Sequence, residues 1–221
     1  MSNLVAQFKS RIMFLFGLYL LPLISLIVVL VIHLQTGIAL EKFMRDPAII
    51  ADIRPVFGII SNFGVLVWCA TATICFYTWS VSRKWAEKER YPNFLFFSGI
   101  LTIILLVDDL FLLHEKFGGR GFSEAYTYGC YVLLTIVIFI SYQKYIFKTE
   151  YIVLMIALIL FGASLFIDIF QDYFKQMIGY WAIYIEDGFK FLGIVGWFGY
   201  YLRICFVEIN KLCRLGKTEV V

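Results

Sequence analysis

Long runs of apolar residues divide the chain into six segments, each long enough for a membrane-spanning helix. A hydrocarbon core about 30 Å thick requires roughly 20 predominantly apolar residues in a helix. The predicted spans cover residues 12–32, 56–82, 93–115, 125–146, 151–172 and 184–207. The longest connection, around residues 34–55, has the pattern of a short amphipathic surface helix. The pattern therefore predicts an all-α integral membrane protein, a bundle of six transmembrane helices forming one domain over residues 1–221.

Composition supports this class and excludes others. The chain is 62% hydrophobic and 16% charged, with a mean hydropathy of +0.85, whereas soluble domains are roughly 45–50% apolar and about 25% charged. A formal net charge of +3 without a basic block argues against nucleic acid as a partner. Five cysteines are too few for a disulfide-stapled domain. We therefore expect membrane lipids as partners and no nucleic acid, with the oligomeric state left open.

The distribution of charged residues predicts the orientation. With six spans both termini lie on one side, and that side carries 12 of the 19 Lys and Arg residues. Eleven of the 16 acidic residues lie on the opposite side. Because positive residues favour the cytoplasmic side, we expect an inner-membrane protein with both termini in the cytoplasm. The first span is longer than the apolar region of a cleavable signal peptide, so it is predicted to be an uncleaved anchor.

Ionisable residues occur near the outer ends of three predicted spans. They are Asp108, Asp109, His114 and Glu115 at the end of the third span, Asp168 and Asp172 at the end of the fifth, and Glu186, Asp187 and Lys190 at the start of the sixth. Charges at membrane depth are costly and usually mark function. Since the third and fifth spans run outward and the sixth starts outside, connectivity places all three groups in the outer third of the bilayer.

Helical spacing sorts these side chains. Asp168 and Asp172 are four residues apart and are predicted to share a helix face, as are Glu186 and Lys190. If the third helix continues to Glu115, Asp108 lies about 10 Å below its end. An aspartate side chain is too short to reach the interface from that depth. The sixth span then carries glycines at 193, 196 and 199, which let a neighbouring helix approach closely.

The leading hypothesis is a divalent metal site that opens to the outer leaflet and serves lipid-phase chemistry. Carboxylate oxygens suit Mg²⁺, Mn²⁺ or Ca²⁺, and the predicted ligands are Asp108, Asp168 and Asp172. The predicted general acid or base is His114 or Glu115, with Lys190 as the electrostatic partner of a phosphate. Two histidines are too few for a three-histidine zinc site. Whether the protein is an enzyme stays open.

Three alternatives remain open. Acids together with a histidine and a lysine at membrane depth are also typical of a small proton- or cation-coupled carrier. Acids that reach the aqueous interface, with the Glu186–Lys190 helix pair, fit a purely structural role or an accessory subunit without catalysis. His33 and His114, at the outer ends of two spans, could together ligate a haem. Acids that converge on one point favour a binding site, whereas acids splayed toward the aqueous rim favour the structural role.

Two strings carry a family resemblance. One has Asp108 and Asp109 five residues before the pair His114–Glu115, and the other opens the last helix with Glu186 and Asp187. They resemble a pattern in uncharacterised small multi-pass bacterial membrane proteins. Lys190 stands where that pattern more often has an acid. The resemblance covers the third to sixth spans, implies a multi-pass membrane fold and attaches no activity to it.

Overall fold

The computed structural model describes residues 16, 19–20, 23–24, 26–44, 47–54, 56–83, 91–113 and 124–218, and all regular secondary structure in them is helical. The chain divides into two compact units, Met1–Phe57 and Gly58–Val221. In the first unit the helices are α1 (Leu26–Thr36), α2 (Glu41–Met44) and α3 (Pro47–Ile50). Much of the predicted first span lies outside the described residues; α1 is the continuous apolar stretch described there, and residues 16, 19–20 and 23–24 before it are also helical. Two short helices occur where one amphipathic helix is predicted.

The second unit holds the long helices. They are α4 (Ile59–Ser82), α5 (Tyr91–Phe111), α6 (Glu124–Ile146), α7 (Tyr151–Ile169), the short α8 (Gln171–Ile178) and α9 (Trp181–Thr218). Five of them, all except α8, are long and apolar enough to cross a membrane by length and composition. The all-helical, membrane-type fold is thus confirmed at this level. A sixth span, the membrane in which the chain resides and the side of its termini stay predictions.

Two helices end earlier than the apolar pattern predicts. Helix α5 ends at Phe111, and Leu112 has a positive φ of 50°. Asp108 therefore lies about 4–5 Å from the end of its helix rather than about 10 Å. Helix α7 ends at Ile169, and Phe170 (φ −104°, ψ 28°) separates it from α8. The prediction that Asp168 and Asp172 share one helix face is wrong, because the helix axis breaks between them.

The break after α7 follows from the residues that come next. Four of the eight residues of α8 are polar or charged, namely Gln171, Asp172, Lys175 and Gln176. Such a segment cannot continue an apolar span without placing charges against lipid. It instead forms a separate short amphipathic helix, which ends at Gly179 with a φ of 62°.

Helix α9 is the centre of the second unit. It packs along α7 and α4, while α5 packs on α4 and α6 packs mainly on α5. Its aromatic residues Trp197, Tyr200 and Tyr201 are buried in the core with Trp68 of α4. Only 6% of the α6 span is buried, against 39% of the α5 and α9 spans. Helix α6 is therefore the least firmly packed wall of this unit.

Close approach of α9 to α7 depends on small residues, as the glycine spacing predicts. A Cβ atom at Gly196 would lie 3.1 Å from the Cβ of Ala157, and one at Gly193 would lie 2.8 Å from Cδ1 of Phe161. At Gly199 the nearest side-chain atom is 4.0 Å away, so this glycine is not required for contact. Two of the three glycines thus determine how near the two helices lie.

Replacing Gly193 by alanine is expected to lower the free energy of unfolding by about 1–2 kcal/mol, because the added methyl group forces the Phe161 ring to move. That ring is stacked on Trp68 and has little room to shift. Unfolding in detergent titrated with SDS, followed by circular dichroism, measures the change. Gly188→Ala is the matched control on the same helix, since a Cβ there meets nothing within 4 Å. Equal stability of the two variants would contradict the tight contact.

Candidate functional site

One cavity lies at the end of the second unit where α5 and α7 finish and α9 begins. Its volume is about 760 Å³, and residues of α4, α5, α6, α7, α8 and α9 line it. The charged residues in its wall are Asp108, Asp109, Asp168, Glu186, Asp187 and Lys190. The structure therefore brings together six of the nine ionisable residues that the sequence singles out.

Asp109 forms the most tightly held contacts of the cavity. One carboxylate oxygen lies 2.6 Å from the Lys190 ammonium nitrogen. The other accepts a hydrogen bond of 2.7 Å from the indole N–H of Trp68. The Asp109 side chain is 11% exposed and that of Lys190 is 40% exposed. These contacts connect α5 to both α9 and α4, so Asp109 links three helices in the wall of the cavity.

Asp108 is the most deeply buried acid of the group, with 4% of its surface exposed. The hydroxyl of Tyr131, on α6, lies within hydrogen-bonding reach of its carboxylate. A hydroxyl donor partly replaces the water that a buried carboxylate loses. The Tyr131 phenol is thus one of the contacts of Asp108, whereas Asp109 contacts an ammonium group and an indole directly.

Glu186 links the beginning of α9 to α8. Its carboxylate accepts a hydrogen bond of 3.1 Å from the side-chain amide of Gln171, whose oxygen accepts one of 2.5 Å from Lys175. Asp168, Asp187 and Lys190 are the charged neighbours of Glu186. The attraction of Glu186 to Lys190 and the hydrogen bond from Gln171 therefore both offset its repulsion by the two aspartates.

Aromatic rings form the inner wall of the cavity. Trp68 and Phe161 are stacked, with centroids 5.8 Å apart and planes 9° apart. Trp197 meets both edge-on, at 6.1 Å from Trp68 and 6.3 Å from Phe161. The Trp197 indole N–H donates to the hydroxyl of Thr102 over 3.2 Å. Because the ring positions are fixed by these contacts, the aromatic wall is preorganised.

The remaining predicted site residues lie elsewhere. Asp172 is exposed on α8 and does not line the cavity. His114 and Glu115, the predicted acid or base, lie outside the described residues, as does any pairing of His114 with His33. The role of Lys190 as a phosphate partner stays a prediction, and its ammonium contacts Asp109 instead.

Sequence reasoning missed the neutral partners of the acids. Trp68, Tyr131 and Gln171 each provide a hydrogen-bond donor to a cavity carboxylate. Trp68 and Tyr131 stand in apolar spans, where an aromatic residue carries no signal of contact with a distant acid. Gln171 was visible as a polar residue within the predicted fifth span, and its position beside Asp168 is the one cue that the sequence offered.

The arrangement gives the metal hypothesis no geometric support. Within the described part of the chain, no three His, Cys, Asp or Glu side chains are placed so that they could hold a metal ion together. Metal coordination by Asp108, Asp168 and Asp172 would require Asp172 to turn from the surface of α8 into the cavity. The acids do converge on one space, however, and this separates them from a set that merely reaches the aqueous rim.

Comparison with known proteins gives a family and no activity. No curated protein and no solved structure matches the chain. Residues 18–204 match the family described as a domain of unknown function, DUF8692. The match includes all the charged residues that line the cavity, and it agrees with the resemblance to proteins without an assigned activity. By this match over most of its length, the chain belongs to the DUF8692 family.

Proposed function

We propose that this protein is a membrane carrier that binds a small organic cation, such as an amine or a quaternary ammonium compound, in the cavity beside Asp109 and Lys190. The observation that carries the proposal is the charge of the cavity wall. Among the described residues that line it, five carboxylates face one ammonium group. A cleft lined by one sign of charge between low-dielectric walls concentrates ions of the opposite sign. The excess of negative charge therefore favours a cationic ligand.

The aromatic wall favours an organic cation over a bare ion. Ammonium groups are attracted to the faces of tryptophan, tyrosine and phenylalanine, most strongly where water is excluded. Trp68, Phe161 and Trp197 lie in the same cavity wall as the acids. The volume of about 760 Å³ falls within the range of small-molecule sites, roughly 300–1,000 Å³. The charge of the wall, its aromatic rings and the volume of the cavity thus all favour a small organic cation as the ligand.

Lys190 already shows the contact that a ligand would make. Its ammonium group lies 2.6 Å from one carboxylate oxygen of Asp109, and the Trp68 indole donates to the other oxygen. A ligand ammonium that reached Asp109 would compete with Lys190, and this exchange would couple ligand binding to the position of α9. Helix α6, which contributes Tyr128 and Tyr131 to the wall, is the least buried span and offers a side from which a ligand enters.

Binding of tetraethylammonium to the full-length protein in detergent tests the proposal. The fluorescence of Trp68 and Trp197 reports occupancy, because both indoles line the cavity. We expect Asp168→Asn to weaken binding roughly tenfold, the effect of removing one charge near the ligand at an intermediate dielectric. Asp172→Asn is the matched control, since this exposed acid four residues later lies outside the lining. It is expected to change the affinity by less than about twofold, as is usual for distant surface sites.

The same titration with Mn²⁺ compares the proposal with a metal site. Stoichiometric Mn²⁺ binding that is lost in both Asp168→Asn and Asp172→Asn, without tetraethylammonium binding, would sink the proposal and restore the metal hypothesis. Uptake of radiolabelled tetraethylammonium into proteoliposomes then separates a carrier from a binding subunit. Uptake that depends on Asp168 supports a carrier, while binding without uptake supports an accessory subunit.

A further inference from the structure

A second cavity of about 490 Å³ lies at the opposite end of the second unit from the acidic one. It is formed by the end of α6, the loop between α6 and α7, and residues 203–211 of α9. Arg203, in its wall, is thirteen residues after Lys190 on α9, a distance of roughly 20 Å along the helix. The two cavities are therefore separate sites on one helix, with opposite charge.

Three cations line this second cavity. They are Lys148, Arg203 and Lys211, and within the part of the chain that the structure describes Glu150 is the one acid in the lining. Lys211 also contacts Glu208 at 3.6 Å, one helical turn away. Even with Glu208 counted, positive charge exceeds negative charge. The cavity is therefore suited to an anion.

Arg203 is oriented by Glu150 and keeps further hydrogen-bond donors that do not face this acid. Its Nε atom donates to one carboxylate oxygen of Glu150 over 3.1 Å, and its Nη2 atom donates to the other oxygen. This contact holds the pKa of the Glu150 carboxyl below its usual range, so the partner stays ionised. A guanidinium has five N–H donors in a fixed plane. The donors that do not face Glu150 remain for a second anion.

The loop and the start of α7 add to the anion-binding character. Thr149 donates its hydroxyl proton to the Ile146 carbonyl over 2.7 Å, so the Tyr200 hydroxyl 3.1 Å away must be the donor to Thr149. This fixes the loop against α9. Helix α7 begins at Tyr151, and the side chain of its cap residue, Glu150, makes no capping hydrogen bond. Because residues 148–150 immediately before α7 line the cavity, the N-terminal end of its helix dipole lies next to it.

We propose that this basic cavity binds the phosphate of an anionic phospholipid headgroup, with Lys148, Lys211 and Arg203 as its cationic contacts. Phosphate is the shared chemistry of a lipid headgroup and a free anion, and the surroundings favour the lipid. The apolar residues Ile204 and Val207 line the same cavity, and Val207 is 44% exposed beside it. A lipid places its phosphate among the cations and its acyl chains along this apolar surface.

The proposal also agrees with the charge distribution along the sequence. The basic cavity lies on the side that carries most of the lysines and arginines, which is the predicted cytoplasmic side. Anionic lipids are concentrated in the cytoplasmic leaflet. A specific headgroup site there would fix the depth of the bundle in that leaflet and hold the α6–α7 loop against α9.

Native mass spectrometry of the full-length protein in detergent, with added phosphatidylglycerol or phosphatidylcholine, tests the proposal. We expect phosphatidylglycerol to be retained in preference to phosphatidylcholine. Lys148→Gln is expected to weaken phosphatidylglycerol binding about fivefold, and Lys148→Gln with Lys211→Gln roughly 25-fold, from the usual contribution of one basic residue near anionic lipid. The matched control is Lys144→Gln, an exposed lysine one turn earlier that does not line the cavity. It should change binding less than about twofold.

A substitution that is expected to strengthen lipid binding shows that the effects of the others do not arise from loss of folding. Glu150→Gln removes the acid of the cavity and should strengthen phosphatidylglycerol binding several-fold. Equal loss in Lys144→Gln and Lys148→Gln would overturn the proposal, because it would show general charge attraction. Weaker binding in Glu150→Gln would also overturn it. Inorganic phosphate that displaces the lipid at equal concentration would show a free-anion site, and this would likewise overturn the lipid assignment.

Discussion

Replacing Trp68 by alanine is expected to lower the free energy of unfolding by about 3–5 kcal/mol, the range usual for removing a large aromatic side chain from a core. The indole is 2% exposed and stacks on Phe161. Its loss leaves a void in the core and removes the N–H that donates to Asp109. An acid that is 11% exposed then loses one of its two partners. Circular dichroism during SDS titration in detergent measures the change.

A second substitution separates the two roles of Trp68. Trp68→Phe keeps an aromatic ring in the core and removes the N–H donor, so it should cost about 1–3 kcal/mol, the usual penalty for an unsatisfied buried acceptor. Trp181→Ala is the control, since this tryptophan is 67% exposed at the start of α9. It should change stability by less than about 0.5 kcal/mol. If Trp68→Phe were as stable as wild type, the hydrogen bond to Asp109 would contribute nothing to the fold.

The apolar pattern was sufficient to place the long helices of the second unit. Helices α4 and α6 begin and end within a few residues of the predicted spans, because a run of about 20 apolar residues has one stable form in a membrane. Helix ends were harder to predict. The polar residues after Ile169 were visible in the sequence, but the pattern left open whether they continue the axis of α7 or form a separate helix.

The site shows the same division between pattern and packing. Connectivity alone predicted that Asp108, Asp168 and Glu186 lie at one end of the bundle, and all three line one cavity. Their partners were not predictable, because spacing along one helix does not show which residues of another helix face it. The ligand role of Asp172 depended on an unbroken helix. The end of α7 moves this residue out of the lining, so the three predicted metal ligands do not meet in one cavity.

The Lys190–Asp109 pair gives the second large expected effect on stability, and replacing the lysine should cost more than replacing the aspartate. Lys190→Gln should lower the free energy of unfolding by about 2–3 kcal/mol, somewhat less than for a fully buried pair because Lys190 is 40% exposed. It leaves Asp109, which is 11% exposed, with the Trp68 indole as its remaining donor. Asp109→Asn should cost less, because the more exposed lysine can turn to Asp187, already a charged neighbour. The double variant should cost less than the sum of the two by about 1–2 kcal/mol.

Stability and binding should respond to Lys190→Gln in opposite directions. The substitution removes the only ammonium among the described residues that line the cavity, so Lys190 no longer competes with a ligand cation for Asp109. Tetraethylammonium binding should therefore strengthen about tenfold, the effect of one charge near the ligand at an intermediate dielectric, while the protein becomes easier to unfold. Lys144→Gln, at the far end of α6, should change neither quantity. A less stable Lys190→Gln variant that also binds the cation more weakly would show that Lys190 supports the site rather than competing with its ligand. That result would contradict the proposal that a ligand cation replaces Lys190 at Asp109 and thereby couples binding to the position of α9.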